Sequence, residues 1–512
     1  MKSKHALSIL LALLMLASAF TGCAESDDPD TVTEEITGDI TAADDASDGA
    51  ADAAAEESPA DAVKVEERIK PDIPDGYSFD GHTFTIMNND YSLAVWSQID
   101  IGAEEMTGEP INDAVFTRNT TVSETYNCSI VSQKTLNLSG ELPTLVKAGD
   151  SSVDLATVHL RTFASHAQSN NYVELNGVST LDLAKPWYDQ NSVKELSFNK
   201  KLFGVATDLT TMDEQATTAM VFNKDLYKDY QIADTYGDFY QLVKDNKWTF
   251  DVMEAMATSV SADLDGDGQR TEKDLYGMFY QRDTLTSLLN GFGVLCATKN
   301  ADDIPEMTLM TERNVDILDR LFDLLYQPDY CLNVMAQWES TSDWSLEMVN
   351  AYDQNQALLM WIRLADVENL RSMDIDFGIV PIPMYDESQG GYKISVNPYV
   401  GTVTCIPQSN YDPEATGYFI EAISSESRYV VLPEYYEINL KGKVARDQES
   451  AEMLDLIFAN RIYDLGQIYD PGNFSNTIIY MTMTNDRDVA SKWAKNEKAI
   501  NKMLDKMIEK FQ

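Results

Sequence analysis

The sequence predicts an α/β protein with a parallel sheet, on three observations. Strand-like and helix-like runs alternate between Thr83 and Val158. The chain has 512 residues, and about 435 remain once the N-terminal segments are set aside, enough for two domains or lobes. Aromatic residues make up 10% of it, enough to fill a large core.

Thr83 to Met87 alternates and is β-branched, so it reads as the first strand. Ile111, Val115 and Val122 recur at helical spacing after Gly108-Glu109-Pro110, which predicts a helix from Ile111 to Tyr126. Cys128 to Val131 reads as the second strand, Leu142 to Lys147 as a helix stopping near Gly149, and Val153 to Val158 as the third strand. Ligands of such sheets bind beyond the carboxyl ends of the strands. Later strands are predicted at Phe203 to Ala206, Thr218 to Phe222, Leu275 to Phe279, Phe377 to Val380 and Thr402 to Ile406. Helices are predicted at Lys224 to Tyr230, Phe239 to Val243, Phe250 to Val260, Val315 to Tyr326, Tyr418 to Glu426 and Ala490 to Phe511.

The formal net charge of −46 argues against nucleic acid and anionic membrane surfaces, both of which need cationic patches. Residues 1–22 read as an export signal: Lys2 and Lys4 precede an apolar run from Ala6 to Phe20 that is short for a membrane span. Phe20-Thr21-Gly22-Cys23 resembles a bacterial lipoprotein signal, with Phe20 where Leu is preferred; lipid on Cys23 would tether the protein to a membrane. Residues 23–75 read as a disordered linker, because Ala24 to Val63 holds 14 acids and no Lys or Arg. The folded body is expected over 76–512. Cys128, Cys296, Cys331 and Cys405 form no CxxC pair and read as buried small hydrophobes.

The sharpest chemical signal is Asp263-Leu264-Asp265-Gly266-Asp267-Gly268 followed by Asp274. Carboxylates at alternate positions of a short loop can wrap Ca²⁺, a hard ion that takes six to eight oxygens. Asp263, Asp265 and Asp267, the Gln269 carbonyl and Asp274 are the expected ligands, and the site is expected to be structural. A helix before the loop and a strand after it set it apart from the helix–loop–helix of an EF-hand.

Several further segments resemble the extracellular solute-binding lipoproteins of carbohydrate ABC importers, family 1 type. They are Asp80-Gly81-His82-Thr83-Phe84-Thr85, Gly108-Glu109-Pro110-Ile111-Asn112-Asp113-Ala114-Val115, Phe222-Asn223-Lys224-Asp225-Leu226 and Trp248-Thr249-Phe250-Asp251 before the acidic loop. Asp376-Phe377-Gly378-Ile379-Val380-Pro381-Ile382-Pro383 and Pro433-Glu434-Tyr435-Tyr436 follow in the same order. The resemblance implies a two-lobed periplasmic-binding-protein-like fold, a ligand cleft between the lobes, no catalysed reaction and a permease partner. The sequence itself shows no nucleophile elbow, P-loop or zinc motif.

A sugar calls for aromatic platforms and planar polar groups in a cleft. Residues just after predicted strands supply candidates: Tyr91 with Trp96, His159, Arg161, Asp208, Trp361, Arg363, and Tyr399 ahead of the strand at Thr402. Trp361 is either a stacking platform or a core residue, and Asp208 either a ligand contact or a salt-bridge partner. Trp187, Tyr188, Trp248 and Trp493 read as packing residues, and Trp338 and Trp344 fit either role. The competing functions are the same scaffold with a peptide or other solute, and a surface glycoside hydrolase, which needs two carboxylates facing across the cleft.

Overall fold

The computed structural model describes residues 68–90, 100–338, 344–366, 370, 373–441 and 447–511, all within one compact unit, Glu66–Gln512. Cys23, the acidic stretch, Tyr91, Trp96 and the side chains of Trp338 and Trp344 lie outside the described residues. Among the described residues, no helix is long and apolar enough to cross a membrane.

Two apolar cores define two lobes. In the smaller, β1 (His82–Asn89) pairs in parallel with β2 (Cys128–Thr135) and with β3 (Leu155–His159). The connections are helical, α1 (Pro110–Tyr126) and α2 (Leu138–Ala148), as the alternation predicts. Pro110 opens α1, where its missing N–H costs nothing, and Asn127 at φ 50° ends it and turns the chain into β2. Gly149 does the same for α2 at φ 68°. β3 runs directly into α3 (Leu160–Ala167).

The larger lobe carries a five-stranded mixed sheet. Chain order brings β4 (Thr218–Asn223), α4 (Phe250–Ala257), β5 (Tyr276–Tyr280) and α5 (Arg282–Gly291). A short hairpin of β6 (Ala297–Lys299) and β7 (Pro305–Met307) precedes β8 (Cys331–Asn333), β9 (Ala357–Arg363) and β10 (Phe377–Val380). The sheet order is β10-β4-β9-β5-β8, with β9 in the middle and every residue of it buried, as its unbroken apolar run requires. A Cβ on Gly277 would meet the Ala257 carbonyl oxygen at 1.7 Å, so only glycine lets α4 end against β5.

The chain then crosses back. β11 (Ile394–Ser395) leads to β12 (Thr402–Cys405), which closes the smaller sheet antiparallel to β3. Next come α6 (Pro413–Pro433), α7 (Gln448–Ala459), β13 (Arg461–Ile462), α8 (Leu465–Tyr469), α9 (Phe474–Met483) and α10 (Val489–Lys510). Three of the segments that run between the lobes are hydrogen-bonded together. β11 pairs with β13, Asn397 N–H donates to Ala216 O at 2.9 Å, and Thr217 bridges Val396. Beyond α10, Phe511 inserts into the smaller core, its ring 4.5 Å from that of Phe198.

Two expectations change. Phe203 to Ala206 is not a strand: only Val205 pairs, with Thr404, because Thr207 bridges Tyr188 on another segment and the chain turns at Asp208, whose N–H bonds Trp187 O. The body also starts before Gly76, since Ile69 N–H donates to the Tyr429 hydroxyl at 2.8 Å and Lys185 pairs with Asp72 at 2.8 Å. The four cysteines are buried, unpaired thiols. Trp187, Tyr188 and Trp248 are buried as packing residues, and Trp248 Nε1 donates to Pro381 O at 2.8 Å. Trp493 packs on Phe474 with ring centroids 5.0 Å apart.

Candidate functional site

A polar niche lies where the two lobes meet. The smaller lobe supplies Arg161, from the first turn of α3 beyond the carboxyl end of β3, and Asn397 to Tyr399 from the crossing into β12. The larger lobe supplies Asp283, Thr286 and Ser287 from the start of α5, just past the carboxyl end of β5. Gln467 of α8, with Ser475 and Ile479 of α9, completes the lining. The enclosed space is about 10 Å³, room for about one water. The lobes are therefore closed on each other here.

Tyr399 is the centre of the niche. The residue is 37% exposed, with the Arg161 guanidinium 5.0 Å and the Arg282 guanidinium 5.9 Å from its ring centroid. Its hydroxyl donates to Asn476 Oδ1 and its N–H to Asn397 Oδ1, the latter at 3.0 Å. Arg161 donates to Gln467 O at 2.9 Å and to Asp470 at 3.1 Å. Asp470 also accepts the Ser475 N–H at 2.8 Å. Asp283 accepts from Arg282 Nε and from Asn397 Nδ2, both at 3.0 Å. Gln467 Nε2 continues the network to Asn290 Oδ1 at 3.1 Å.

The structure brings together two of the residues expected from the sequence, Arg161 and Tyr399, while His159 does not line the niche. Arg161 and Tyr399 are in contact, and His159 is the last residue of β3, two positions before Arg161. Burial pushes the His159 imidazole down to about 4, so it is neutral at physiological pH.

The other candidates stand elsewhere. Trp361 lies in the centre of β9 inside the larger core, 1% exposed, so the indole is a core residue and offers no surface for stacking in this closed form. Arg363 is buried too, and its Nε and Nη2 donate to both oxygens of Asp366 at 3.1 and 3.0 Å. Asp208 takes its salt-bridge role, with Arg428 Nη1 at 3.1 Å. Burial, seconded by the Glu214 carboxylate, pushes Asp208 up to about 7 despite Arg428.

Arg282, Asp283, Gln467, Asp470 and Asn476 were not singled out from the sequence. Arg282 and Asp283 obey the rule that found Arg161, since they directly follow a strand and open a helix. Gln467, Asp470 and Asn476 carry no local signal; topology alone brings them in.

The acidic loop folds as a compact turn closed by the pairing of Ala262 with Leu275. Oxygens of Asp263, Asp265 and Asp267 lie within 4.8 Å of one another, close enough for one hard cation. Asp274 is fully buried and spends its oxygens on the N–H groups of Leu264 and Thr271, at 3.0 and 2.8 Å. Gln269 N–H is held by Asp267 at 2.7 Å. The helix before and the strand after match the sequence reading.

No family model matches the chain, and no curated protein matches it by sequence. Solved structures do match by fold. An ABC substrate-binding protein from Listeria monocytogenes in complex with cycloalternan superposes with a TM-score of 0.51 at 11% identity, over 84% of this chain and 99% of that one. An ABC transporter solute-binding protein from Thermotoga lettingae bound with α-D-tagatose gives 0.53 at 14% identity, over 83% of this chain and 100% of its own. UspC from M. tuberculosis gives 0.54 at 13% identity, over 82% and 100%. The chain thus has the two-lobed fold of ABC substrate-binding proteins, with its polar niche at the junction of the lobes.

Proposed function

We propose that this protein captures a sugar or oligosaccharide between its lobes and delivers it to an ABC permease. The observation that carries the reading is Tyr399. A half-buried aromatic face, ringed by planar guanidinium and amide donors, sits at the carboxyl ends of the strands where two lobes close. Two solved proteins of the same fold are described with cycloalternan and with tagatose. Against hydrolysis, the two carboxylates of the niche are each taken by a guanidinium and a second donor, which leaves neither as a general acid.

Two further parts belong to the proposal. Cys23 carries a lipid that holds the body at the outer membrane face, at the end of the acidic linker. The trio Asp263, Asp265 and Asp267 binds one Ca²⁺ that stabilises the turn before β5.

A thermal-shift screen over neutral and acidic mono- and oligosaccharides tests the central claim, since a ligand of the folded state raises the melting temperature. Tyr399→Ala should abolish the shift and leave the unliganded melting temperature within a few degrees. A panel without any shift, or a Tyr399→Ala variant that binds normally, would overturn the reading.

A further inference from the structure

The more exposed charges against Tyr399 are cationic, in a chain whose formal net charge is −46. Arg161 and Arg282 come from different lobes and lie against one tyrosine ring. Like charges are not gathered this way without a partner. Each guanidinium has an aspartate, but those carboxylates are set behind: the side chains of Asp470 and Asp283 are 2% and 9% exposed, those of Arg161 and Arg282 24% and 47%. Both carboxylates are also shared with a second donor.

Arg282 has donors left over. Among the described residues it donates only from Nε, to Asp283, and its side chain is 47% exposed, which leaves the donors of its terminal nitrogens available beside Tyr399. That planar edge matches a carboxylate or phosphate, which accepts two parallel N–H bonds. Arg282 also begins the ten-residue helix α5, whose first turn adds positive potential at the same place.

Resting on the sugar-binding reading, we infer that the ligand is an acidic sugar, whose anionic group is held by Arg282 and Arg161 while its ring lies on Tyr399. When the lobes close, the anion bridges a cation from each, so ligand charge contributes directly to closure. A neutral sugar would leave the Arg282 donors unmatched in a desolvated niche, which is costly.

Calorimetric titration of the full chain tests this. The probes are uronate di- and trisaccharides and sialyllactose, each beside its carboxyl-reduced form, and hexose phosphates beside the free hexoses. An acidic member should bind at least about tenfold more tightly than its neutral counterpart, as losing a charge-assisted hydrogen bond implies. Carboxylates and phosphates are separate arms, so the result names the anionic group. Arg282→Gln should erase most of the preference and Arg282→Lys should keep part of it, with melting temperatures unchanged because the side chain is half exposed. If a neutral sugar binds as tightly as its acidic partner, this inference falls and the sugar-binding reading stands. If no probe of either kind binds, both fall.

Discussion

Nη2 of Arg461 lies 2.6 Å from the Asp189 carboxylate, and so ties β13 to the cap of the helix Gln190–Glu195. The same guanidinium meets Asp213 at 2.9 Å and Glu214 at 3.0 Å, just before the chain passes between the lobes at Thr217. One buried cation thus neutralises acids from two segments at the junction.

Removing it should leave buried carboxylates without their partner. Arg461→Met is expected to cost about 3–5 kcal/mol of folding stability. Urea denaturation measures this, and an unchanged midpoint would mean that the cluster does not hold the junction.

The junction should also give stability an acidic slope. Asp208 titrates at about 7 when folded, against about 4 for an ordinary carboxylate. Between those values the folded protein keeps a proton that the unfolded chain has lost, so stability falls as pH rises and levels off above 7. From pH 5 to pH 8 the loss is roughly 2–3 kcal/mol. His159, lowered to about 4, works the other way between 4 and 6.5, because the unfolded chain takes up the proton first. Comparing wild type with Asp208→Asn cancels His159 and isolates the aspartate. Parallel stability–pH curves for the two proteins would refute its raised value.

Trp361→Ala should behave as a core truncation, with a loss of about 3–5 kcal/mol, since the indole is enclosed at the centre of β9. Protein that still folds should bind ligand with nearly normal affinity. A clear loss of affinity in a stable variant would return Trp361 to the cleft.

Calcium should raise the melting temperature of chelator-treated protein, by an amount set by its concentration over the dissociation constant: at a hundredfold excess, about 2.7 kcal/mol. Asp265→Ala should abolish the response, because Asp265 is exposed and contributes one of the converging oxygens. A melting curve indifferent to both chelator and calcium would leave the loop as a hydrogen-bonded turn and nothing more.

The sheets were legible because their signals are local. β1 alternates, β9 is an unbroken apolar run, and Pro110 and Gly149 mark helix ends within a few residues. The edge of the smaller sheet was not, because β12 reaches β3 from far along the chain. The niche was half legible for the same reason. Arg161 announces itself at the end of a strand, whereas Asp470 reaches it only through the packing of α8 against α3. Trp361 misled because a tryptophan after an apolar run reads alike in a cleft and in a central strand; the difference is whether a second layer covers it.

Phe511 shares its core with Phe84 and Phe163, on the other side of the described chain. The smaller lobe is therefore the last to be completed during synthesis: its sheet waits for β12 and its core for the residue that follows α10. All five strands of the larger sheet emerge as one run from Thr218 to Val380 and can pair much earlier. A nascent chain would carry a paired large sheet, its core still short of Leu454, Ile478 and Ile500, beside an unfinished small one. Both cores thus close only once the last helices are made, so for the described residues completion of either lobe is a late event.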